Sequence, residues 1–520
     1  MILKFSNPHH KNYSQILSQI QTPCRILSQE HSPIIQQLQA NDPTLKTLNL
    51  SNQEILNNHL EALILALQNN NTLQTLVLQD VRIVPQGLTA LIMYTKISNL
   101  FLDNNQINDQ EITEMIKALY YNQNLTGLFL SGNSIGDQGA LALGEYLASK
   151  NCHLKILDLS KNKIKDVGLR FLFDNLKKND TLELFDVSRN YFQFAGAGIL
   201  AESLRENKAI RGLKLKSCFF KSVMSVKVIM DGIKEKKQLE SLGLSNNKVD
   251  ISDLEGVLNL LKENFSMYEL DLSVNYLREN GAITFAEALE ENYTLQRLDL
   301  EDNHISDATI NEKGIVALAN SLRGHPGLYY LNLKQNSIGV KGGEALMKML
   351  EENKKITTLE VVERRPNAVV GNTLKAEQVK RINELIERNR ERVKETAEYL
   401  AEKCLGTEEM KLDVRKLNDY YRCDHELLLS YWGGENYEKI AERLRRYLAV
   451  NFLDVIGCKG NGKSGLERLP YQVKYAIFDY LDLEKMLWSL EMEKEQKKRK
   501  KREECEGGEK GSQQGNCNIW

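Results

Sequence analysis

The stretch LKILDLSKNKIKD, residues 154–166, carries a pattern that most of this chain repeats. By position the pattern is Leu-x-x-Leu-x-Leu-x-x-Asn-x-Ile. Successive copies begin 28 or 29 residues apart, except for one interval of 24 and one of 33 residues. A fixed period of this length indicates stacked structural units, each too small to bury its own apolar side chains. The twelve copies begin at Leu45, Leu73, Ile97, Leu125, Leu154, Leu182, Ile210, Leu239, Met267, Leu295, Leu328 and Ile356.

Each copy divides into a short strand, a turn and a helix. The alternating leucines place apolar side chains on one side of an extended segment. The segments after the turns, such as GALALGEYLASKN (139–151), have the i, i+3/i+4, i+7 apolar spacing of a helix. We expect the asparagine after each strand to satisfy turn backbone groups of its own and the next repeat. The predicted fold is α/β: a right-handed βα solenoid with a parallel sheet inside and helices outside.

This pattern resembles the leucine-rich repeats of the ribonuclease-inhibitor type, which use units of 28 and 29 residues. The resemblance covers about two thirds of the chain. It implies a horseshoe whose concave face is lined by the strands, with the repeat leucines and asparagines in structural roles. Proteins of this class include inhibitors, Ran GTPase-activating proteins, NOD-like receptors and ubiquitin-ligase receptor subunits. The resemblance therefore implies the fold and leaves the function open.

Changes in composition divide the chain into five segments. Residues 1–40 are predicted to be an N-terminal helical cap, and residues 41–371 form the repeat array. A charged helix at 372–402 would close the last strand. Residues 403–490 lose the repeat and indicate a small all-α domain, and residues 491–520 form a charged, low-complexity tail that we expect to be disordered.

Bulk composition excludes several classes of protein. The net charge of −2 gives no global preference for nucleic acid. We find no apolar run long enough for a membrane span and no signal-peptide core near the N-terminus. The eight cysteines show no C-x-x-C spacing, so we expect reduced thiols in a cytosol and no metal site. The histidines are scattered among repeats, so we predict no catalytic site and no cofactor.

One glycine-rich stretch matches the residue pattern of a phosphate loop but lacks the predicted secondary structure that such a loop requires. Residues 457–464, GCKGNGKS, fit G-x-x-x-x-G-K-[ST]. A phosphate loop needs a strand before it and a long helix after it. Here the preceding residues have helical spacing, and Pro470 lies six residues after Ser464. We interpret the stretch as a connector, which argues against a nucleotide-switched receptor.

The segment 466–490, LERLPYQVKYAIFDYLDLEKMLWSL, has the pattern of a helical hairpin with one apolar face. Ordinary core packing is one interpretation of that face. The order of residues also resembles an F-box, and in particular the C-terminal F-box-like segment of the PRANC type. This resemblance implies docking onto a Skp-type adaptor of a cullin ubiquitin ligase, with a helix laid in an apolar groove. The matching residues are Leu469, Pro470, Val473, Lys474, Ile477, Phe478, Tyr480, Leu481, Asp482, Met486 and Leu487.

The tail contains two further signals. Residues 497–502 are six consecutive cations, which suit a nuclear-import signal, an anionic-membrane contact or a solvated end. Cys517 begins a four-residue ending that loosely fits a prenylation site, although Asn518 and Trp520 depart from the usual residues. Prenylation of Cys517 and peripheral membrane contact stay open alternatives to an unmodified tail.

The residue between the last two leucines of each strand is predicted to point into the concave face. An aromatic pair is succeeded there by a mostly acidic series that is interrupted by one lysine. Aromatic side chains beside charges concentrate binding affinity, and the acidic residues favour a basic protein partner. A common structural filler sequence is the alternative interpretation of the acidic series. The candidate partner-binding residues are Phe101, Phe129, Asp158, Asp186, Lys214, Asp271, Asp299 and Tyr329, with Tyr330 beside Tyr329.

We therefore predict a non-enzymatic, monomeric protein that binds a protein target on the concave face. Its C-terminal helices would recruit a cullin-type ubiquitin ligase through a Skp-type adaptor. The predicted location is the cytoplasm, or a host cell's cytoplasm or nucleus if the protein is a secreted effector. The alternative is a GTPase activator similar to the Ran GTPase-activating protein, for which Arg189 is the array arginine to test.

Overall fold

The computed structural model describes most of the repeat array and a small part of the C-terminal region. It describes residues 33–405 apart from 54, 56, 82, 84, 191–193, 219–222, 235, 237, 265, 307–311 and 363–372. Nine residues between 427 and 440 are also described. The described residues divide into two compact units, 33–393 and 394–440.

The first unit contains one parallel sheet in which every strand pairs with its neighbours in chain order. One strand occurs for each copy of the sequence pattern, and each has three residues, so the predicted α/β solenoid is confirmed. The strands are β1 Thr47–Asn49, β2 Thr75–Val77, β3 Asn99–Phe101, β4 Gly127–Phe129, β5 Ile156–Asp158, β6 Leu184–Asp186, β7 Gly212–Lys214, β8 Ser241–Gly243, β9 Glu269–Asp271, β10 Arg297–Asp299, β11 Tyr330–Asn332 and β12 Thr358–Glu360.

A helix separates each strand from the next, as the apolar spacing predicted. The 24-residue interval contains a helix of 10 residues, Pro85–Tyr94. The helices are α1 Pro33–Gln39, α2 Asn57–Gln68, α3 Pro85–Tyr94, α4 Asp109–Leu119, α5 Asp137–Leu147, α6 Asp166–Leu176, α7 Phe194–Glu206, α8 Val223–Ile233, α9 Ile251–Glu263, α10 Arg278–Glu291, α11 Lys313–Leu322, α12 Val340–Glu352 and α13 Ala376–Leu405.

The core lies between the sheet and the helices and is continuous along the array. The middle residue of each strand, a leucine in all but β6, is in register with its neighbours, as for Leu128 and Leu157. These leucines and the apolar faces of the helices form one buried cluster from Ile35 to Ile386. Burying each leucine stabilises the fold by about 2 kcal/mol relative to exposure. The strand register is fixed by this layering, because a one-residue slip would expose every leucine.

The asparagine after each strand joins adjacent repeats. Asn133 accepts hydrogen bonds from the backbone N–H groups of Asn105 and Ile107, both at 2.9 Å. Its Nδ2 donates to the carbonyl of Leu102 at 3.0 Å. The amide therefore reaches the preceding repeat, and our expectation that it would reach the next repeat is wrong. The reason is that β3 ends one residue before Leu102, so this carbonyl has no strand partner and needs another donor.

A second asparagine series lies at the other end of most repeats, three residues before the position at which a copy begins. Asn207 Nδ2 donates to the carbonyls of Leu176 (2.8 Å) and Asn179 (2.9 Å). Its Oδ1 accepts from the N–H groups of Ala209 (3.0 Å) and Ile210 (2.8 Å). The side chain thus satisfies carbonyls at the end of the preceding helix, which would otherwise be orphaned. Equivalent donors are Asn70, Asn122, Asn179, Asn264, Asn292 and Asn353.

In two repeats a basic residue takes the position of this second series. Lys236 replaces the asparagine after α8 and donates from Nζ to the carbonyl of Asn207. It is 5 % exposed, and burial lowers its pKa from 10.5 to about 8. His325 replaces the asparagine after α11, and its Nδ1 accepts the N–H of Leu328 at 3.1 Å. Burial lowers its pKa from 6.5 to about 4, and Nε2 has no hydrogen-bond partner among the described residues.

Acidic side chains near the start of some helices cap the helix of the following repeat. Asp137 accepts from the N–H groups of Lys165 (2.8 Å) and Gly168 (3.0 Å) at the start of α6. Glu312 is buried and accepts from Gly339 (2.9 Å) and Gly342 (2.7 Å) at the start of α12. A carboxylate is favoured there because free N–H groups and the helix dipole make a helix N-terminus positive.

Helix α13 lies against the last repeat. Ile382, Leu385 and Ile386 are buried in the core cluster, which agrees with the apolar stripe seen in the sequence. Asn389 Nδ2 donates to the carbonyls of Asn353 (3.2 Å) and Ile356 (2.8 Å). It thereby continues the second asparagine series from a helix that no longer belongs to a repeat.

The second compact unit is described only in part. Its nine described residues between 427 and 440 are all helical. Trp432 is buried and donates from Nε1 to the carbonyl of Ala397 at 2.9 Å. The remainder of the predicted all-α domain, the tail and most of the N-terminal cap lie outside the described residues.

Candidate functional site

The candidate site is the strand face, which we define as the side of the sheet opposite the core. On each repeat it consists of the first and third strand residues and the residue two positions further on. The strand face is separate from the core. Val77, Phe101 and Phe129 on this face form an apolar cluster of their own, distinct from the core cluster. The period of two along each strand therefore assigned the candidate residues on β3 to β10 to this face.

The two predicted aromatic residues pack against each other. The rings of Phe101 and Phe129 are stacked at 3.8 Å between centroids and 3° between planes. They are 2 % and 0 % exposed, and Ile156 packs against the same cluster. In this conformation their surface is used within the protein, so they stabilise the face and offer little area to a partner.

The first acidic group lies beside this cluster and is also buried. Asp158 is 2 % exposed and Asp186 is 7 % exposed. Each accepts the N–H group two residues further on, Ser160 at 2.8 Å and Ser188 at 2.9 Å. Burial, with the nearby charge of Asp158, raises the pKa of Asp186 from 3.8 to about 6, while Lys214 opposes the rise.

Sequence reasoning missed Asp103, which joins the same acidic group. Burial, followed by the charge of Asp158, raises the pKa of Asp103 to about 7. Asp103 lies two residues after Phe101, at the edge of the strand face, and its Oδ1 accepts the N–H of Ser131 at 2.9 Å. Extending the alternation one step beyond each strand would have found it.

The second acidic group lies on β9 and β10 and is half-buried. Asp271 and Asp299 occupy the third positions of these paired strands. Burial, followed by the charge of Asp271, raises the pKa of Asp299 from 3.8 to about 6. Asn332 Nδ2 donates to Asp299 Oδ2 (3.1 Å) and to Glu301 Oε2 (2.9 Å). These contacts hold two carboxylates side by side on the face, so a cation from a partner would stabilise both.

Arg297 connects this acidic group to the last strands. Its guanidinium is 3.5 Å from the carboxylate of Glu269 and lies 4.2 Å from the ring centroid of Tyr330. Tyr330 donates from its hydroxyl to Glu360 at 3.2 Å, and Lys334 forms an ion pair with Glu360. The side chains from β9 to β12 are therefore linked and held in fixed positions.

The predicted residue Tyr329 differs in position from its neighbour Tyr330. Tyr330 is the first residue of β11 and is half-buried on the strand face, whereas Tyr329 precedes the strand and is buried. Tyr330 is therefore the aromatic side chain that this part of the face presents. Which of the two tyrosines lies on the strand face depends on where the strand begins, and the sequence of two adjacent tyrosines does not show that position.

A pocket of about 330 Å³ lies between the two acidic groups, along β5 to β9. Its cationic lining residues are Lys161, Arg189 and Lys216, in the turns after β5, β6 and β7, and Lys214 at the end of β7. Asp186, Glu269 and Asp271 contribute carboxylates. Lys214, predicted from the sequence as an interruption of the acidic series, is thus part of a larger cationic group.

Other kinds of site find no support in the described part of the chain. Among these residues no cluster of three or more His, Cys, Asp or Glu side chains could hold a metal. No helix described here combines the length and apolarity that a membrane crossing requires. The three described cysteines, Cys152, Cys218 and Cys404, are buried. The F-box-like residues, the 497–502 cations and Cys517 lie outside the described residues.

Comparison with known proteins agrees with this architecture. A sequence profile described as "Leucine Rich repeat" matches residues 121–144, 150–173, 291–308 and 328–347. Among curated protein sequences, none matches this chain. A crystal structure of an internalin (inlF) from Listeria monocytogenes is similar, with 18% identity over 67% of this chain and 86% of that chain and a TM-score of 0.37. The TLR13–ssRNA13 complex is similar with 20% identity over 64% of this chain and 53% of that chain, at a TM-score of 0.35. The matched repeats and the strand–turn–helix units observed together show that this chain has the leucine-rich-repeat fold, a scaffold for protein–protein interaction.

Proposed function

We propose that this protein captures a basic segment of a partner protein on the β9–β12 part of the strand face and brings it to a cullin-type ubiquitin ligase. The observation that carries the capture step is the fixed, acidic character of this accessible surface. Glu269, Asp271, Asp299, Glu301 and Glu360 outnumber the two cations there, Arg297 and Lys334.

Three features support a protein ligand. The carboxylates are half-buried and already held by hydrogen bonds, so binding would cost little side-chain entropy. Arg and Tyr, the residue types enriched at binding hot spots, lie at the centre of the surface as Arg297 and Tyr330. The raised pKa of Asp299 reflects charge that is poorly solvated, which a cation from the partner would offset.

The recruitment step rests on the sequence of residues 466–490. The resemblance to an F-box implies that Leu469, Pro470 and Ile477 contact a Skp-type adaptor. Helix docking into an apolar groove is a common mode of such recognition. The GTPase-activator alternative has less support, because it rests on fold analogy and on a single arginine, Arg189.

The capture step is tested by cross-linking and affinity purification with the full chain, followed by identification of retained proteins. Replacing Asp271 and Asp299 by Asn should reduce retention of a direct partner by at least about tenfold, as expected when charge-assisted hydrogen bonds are lost. The matched control replaces Glu287 and Glu290 by Gln, which removes two charges from the exposed side of α10. Equal retention by both double variants would exclude the strand face as the capture site.

The recruitment step is tested separately with a purified Skp-type adaptor. The full chain should bind the adaptor, and replacing Leu469, Pro470 and Ile477 by Ala should abolish binding. Gln472→Ala with Glu484→Ala alters polar positions of the same segment and should leave binding intact. If the unaltered chain is folded and does not bind the adaptor, ligase recruitment is wrong even when the capture step succeeds.

A further inference from the structure

The pocket along β5 to β9 has a cationic side. The repeat fold does not require positively charged residues at these positions. Lys161 and Arg189 occupy the same turn position, three residues after the end of β5 and β6, with φ of 54° and 56°. This left-handed conformation favours Gly and Asn and gives no advantage to Lys or Arg. The same turn position elsewhere holds Asn52, Asp80, Asn104, Gly132, Ser217, Asn246, Val274, Asp302 and Gln335. Adjacent cations at this position thus occur in two of the repeats along the pocket, those of β5 and β6.

These cations are not neutralised by ion pairs within the described structure. Lys161, Arg189 and Lys216 have no carboxylate within 4 Å among the described residues, whereas Lys177, Arg211 and Lys262 do. Three positive charges from three successive repeats therefore line one pocket, where Asp186 of β6 contributes one carboxylate among them. Like charges placed close together repel each other, so an anion bound between them would be stabilised.

The arrangement fits a phosphoryl group better than a carboxylate. Successive parallel strands lie about 4.8 Å apart, so the three side chains approach the pocket from separate directions. A phosphate monoester has three terminal oxygens and carries nearly two negative charges at pH 7, whereas a carboxylate has two oxygens and one charge. Ser188 Oγ accepts the N–H of Lys216 at 3.0 Å, which leaves its hydroxyl hydrogen to donate.

The β9 side of the pocket has the opposite character. Glu269 and Asp271 line it there, and Glu269 is shared with Arg297. A ligand that spans the pocket must therefore present an anion toward β5–β7 and a cation toward β9. An extended peptide meets this requirement, since its side chains are spaced at distances similar to those between strands.

We infer that this pocket binds a phosphorylated serine or threonine of the captured protein, next to a basic residue that contacts Asp271. The inference rests on the proposed capture function and specifies the chemistry of the captured segment. It places Lys161, Arg189 and Lys216 on the phosphate and the acidic residues of β9 on the neighbouring cation.

The test uses the full chain and two degenerate peptide libraries that differ only in phosphorylation of a central serine. The phosphorylated library should be retained at least about tenfold better, which corresponds to one charge-assisted hydrogen bond. The retained peptides should be enriched in Lys or Arg beside the phosphoserine. Lys161→Ala with Arg189→Ala should remove the preference for phosphate.

The matched control is Lys163→Ala with Lys248→Ala, which removes two exposed cations that do not line the pocket. Lys248 also has a left-handed backbone, with φ of 60°, so the backbone effect is matched at one of the two control positions. The control should keep the phosphate preference, and thermal unfolding should show that both variants are folded.

Several outcomes would overturn the inference. Equal retention of the two libraries, or equal loss of preference in both double variants, would exclude a specific phosphate pocket. Binding of inorganic pyrophosphate without retention of phosphopeptides would identify a free phosphate ligand and exclude a protein segment. If retention depends on Asp271 and Asp299 but is insensitive to phosphorylation, this inference is wrong and the capture function stands.

Discussion

Replacing Lys236 by Asn should stabilise the protein. It should also weaken the rise in stability that the wild-type protein shows as the pH increases from 8 to 10.5. Lys236 occupies a position where other repeats use a neutral asparagine that donates to the preceding helix. Its amine is almost completely buried and has a lowered pKa, so its positive charge is poorly solvated in the folded protein. An asparagine would fit the pattern of its neighbours at 207 and 264 without a charge.

The size of the effect can be worked from the pKa of Lys236. The difference between an ordinary 10.5 and about 8 corresponds to about 3 kcal/mol, at about 1.4 kcal/mol per factor of ten. Since Lys236 also lines an open pocket, we expect about half of this value, or roughly 1–2 kcal/mol at pH 7. Between pH 8 and 10.5 the unfolded chain binds more protons than the folded one, so wild-type stability rises with pH through that range. The advantage of Lys236→Asn is therefore largest below pH 8 and decreases above it.

Urea unfolding monitored by circular dichroism at pH 7 and pH 9.5 measures this effect. Lys208→Asn is the control, because it removes an exposed charge from the same pocket. The reasoning is refuted if Lys236→Asn is no more stable than Lys208→Asn at pH 7, or if its advantage is unchanged at pH 9.5.

Three other substitutions test further parts of the structure. His325→Asn should weaken the loss of stability between pH 6.5 and pH 4, because the folded pKa of about 4 lets the unfolded chain bind more protons in that range; an unchanged acid-unfolding curve would contradict this. Glu312→Ala should destabilise the fold by about 3 kcal/mol in urea unfolding, since buried N–H groups at the start of α12 lose a charged acceptor, while Glu344→Ala on the same helix should have little effect. Val274→Asn should raise the unfolding midpoint by an amount equivalent to about 1 kcal/mol, because Val274 has φ of 56° and is 39 % exposed; a lower midpoint would show that the valine makes a stabilising contact.

The repeats made the architecture predictable. Twelve sequence copies became twelve parallel strands in chain order, and the 24-residue interval also kept a helix between its two strands. The second asparagine series was also visible in principle, because Asn179, Asn207, Asn264 and Asn292 recur at the repeat spacing. We missed it because the pattern was aligned on leucines, and these asparagines precede the first leucine.

Burial on the strand face was much less predictable. Phe101 and Phe129 were expected to offer an aromatic surface, yet the structure stacks them on each other. Asp158 and Asp299 occupy equivalent strand positions, but the first is buried and the second is half-buried. Exposure depends on side chains from neighbouring repeats, which lie about 28 residues away in the sequence.

The period, the number of strands and the side of the sheet that each residue occupies follow from the order of residues. These properties result from local alternation and from the need of every repeat to bury its leucines. By contrast, the grouping of Lys161, Arg189 and Lys216 along one pocket, and of Asp103 with Asp158, results from the folded arrangement of the repeats. Those groupings depend on stacking, which places side chains from different repeats a few ångströms apart and changes their solvation.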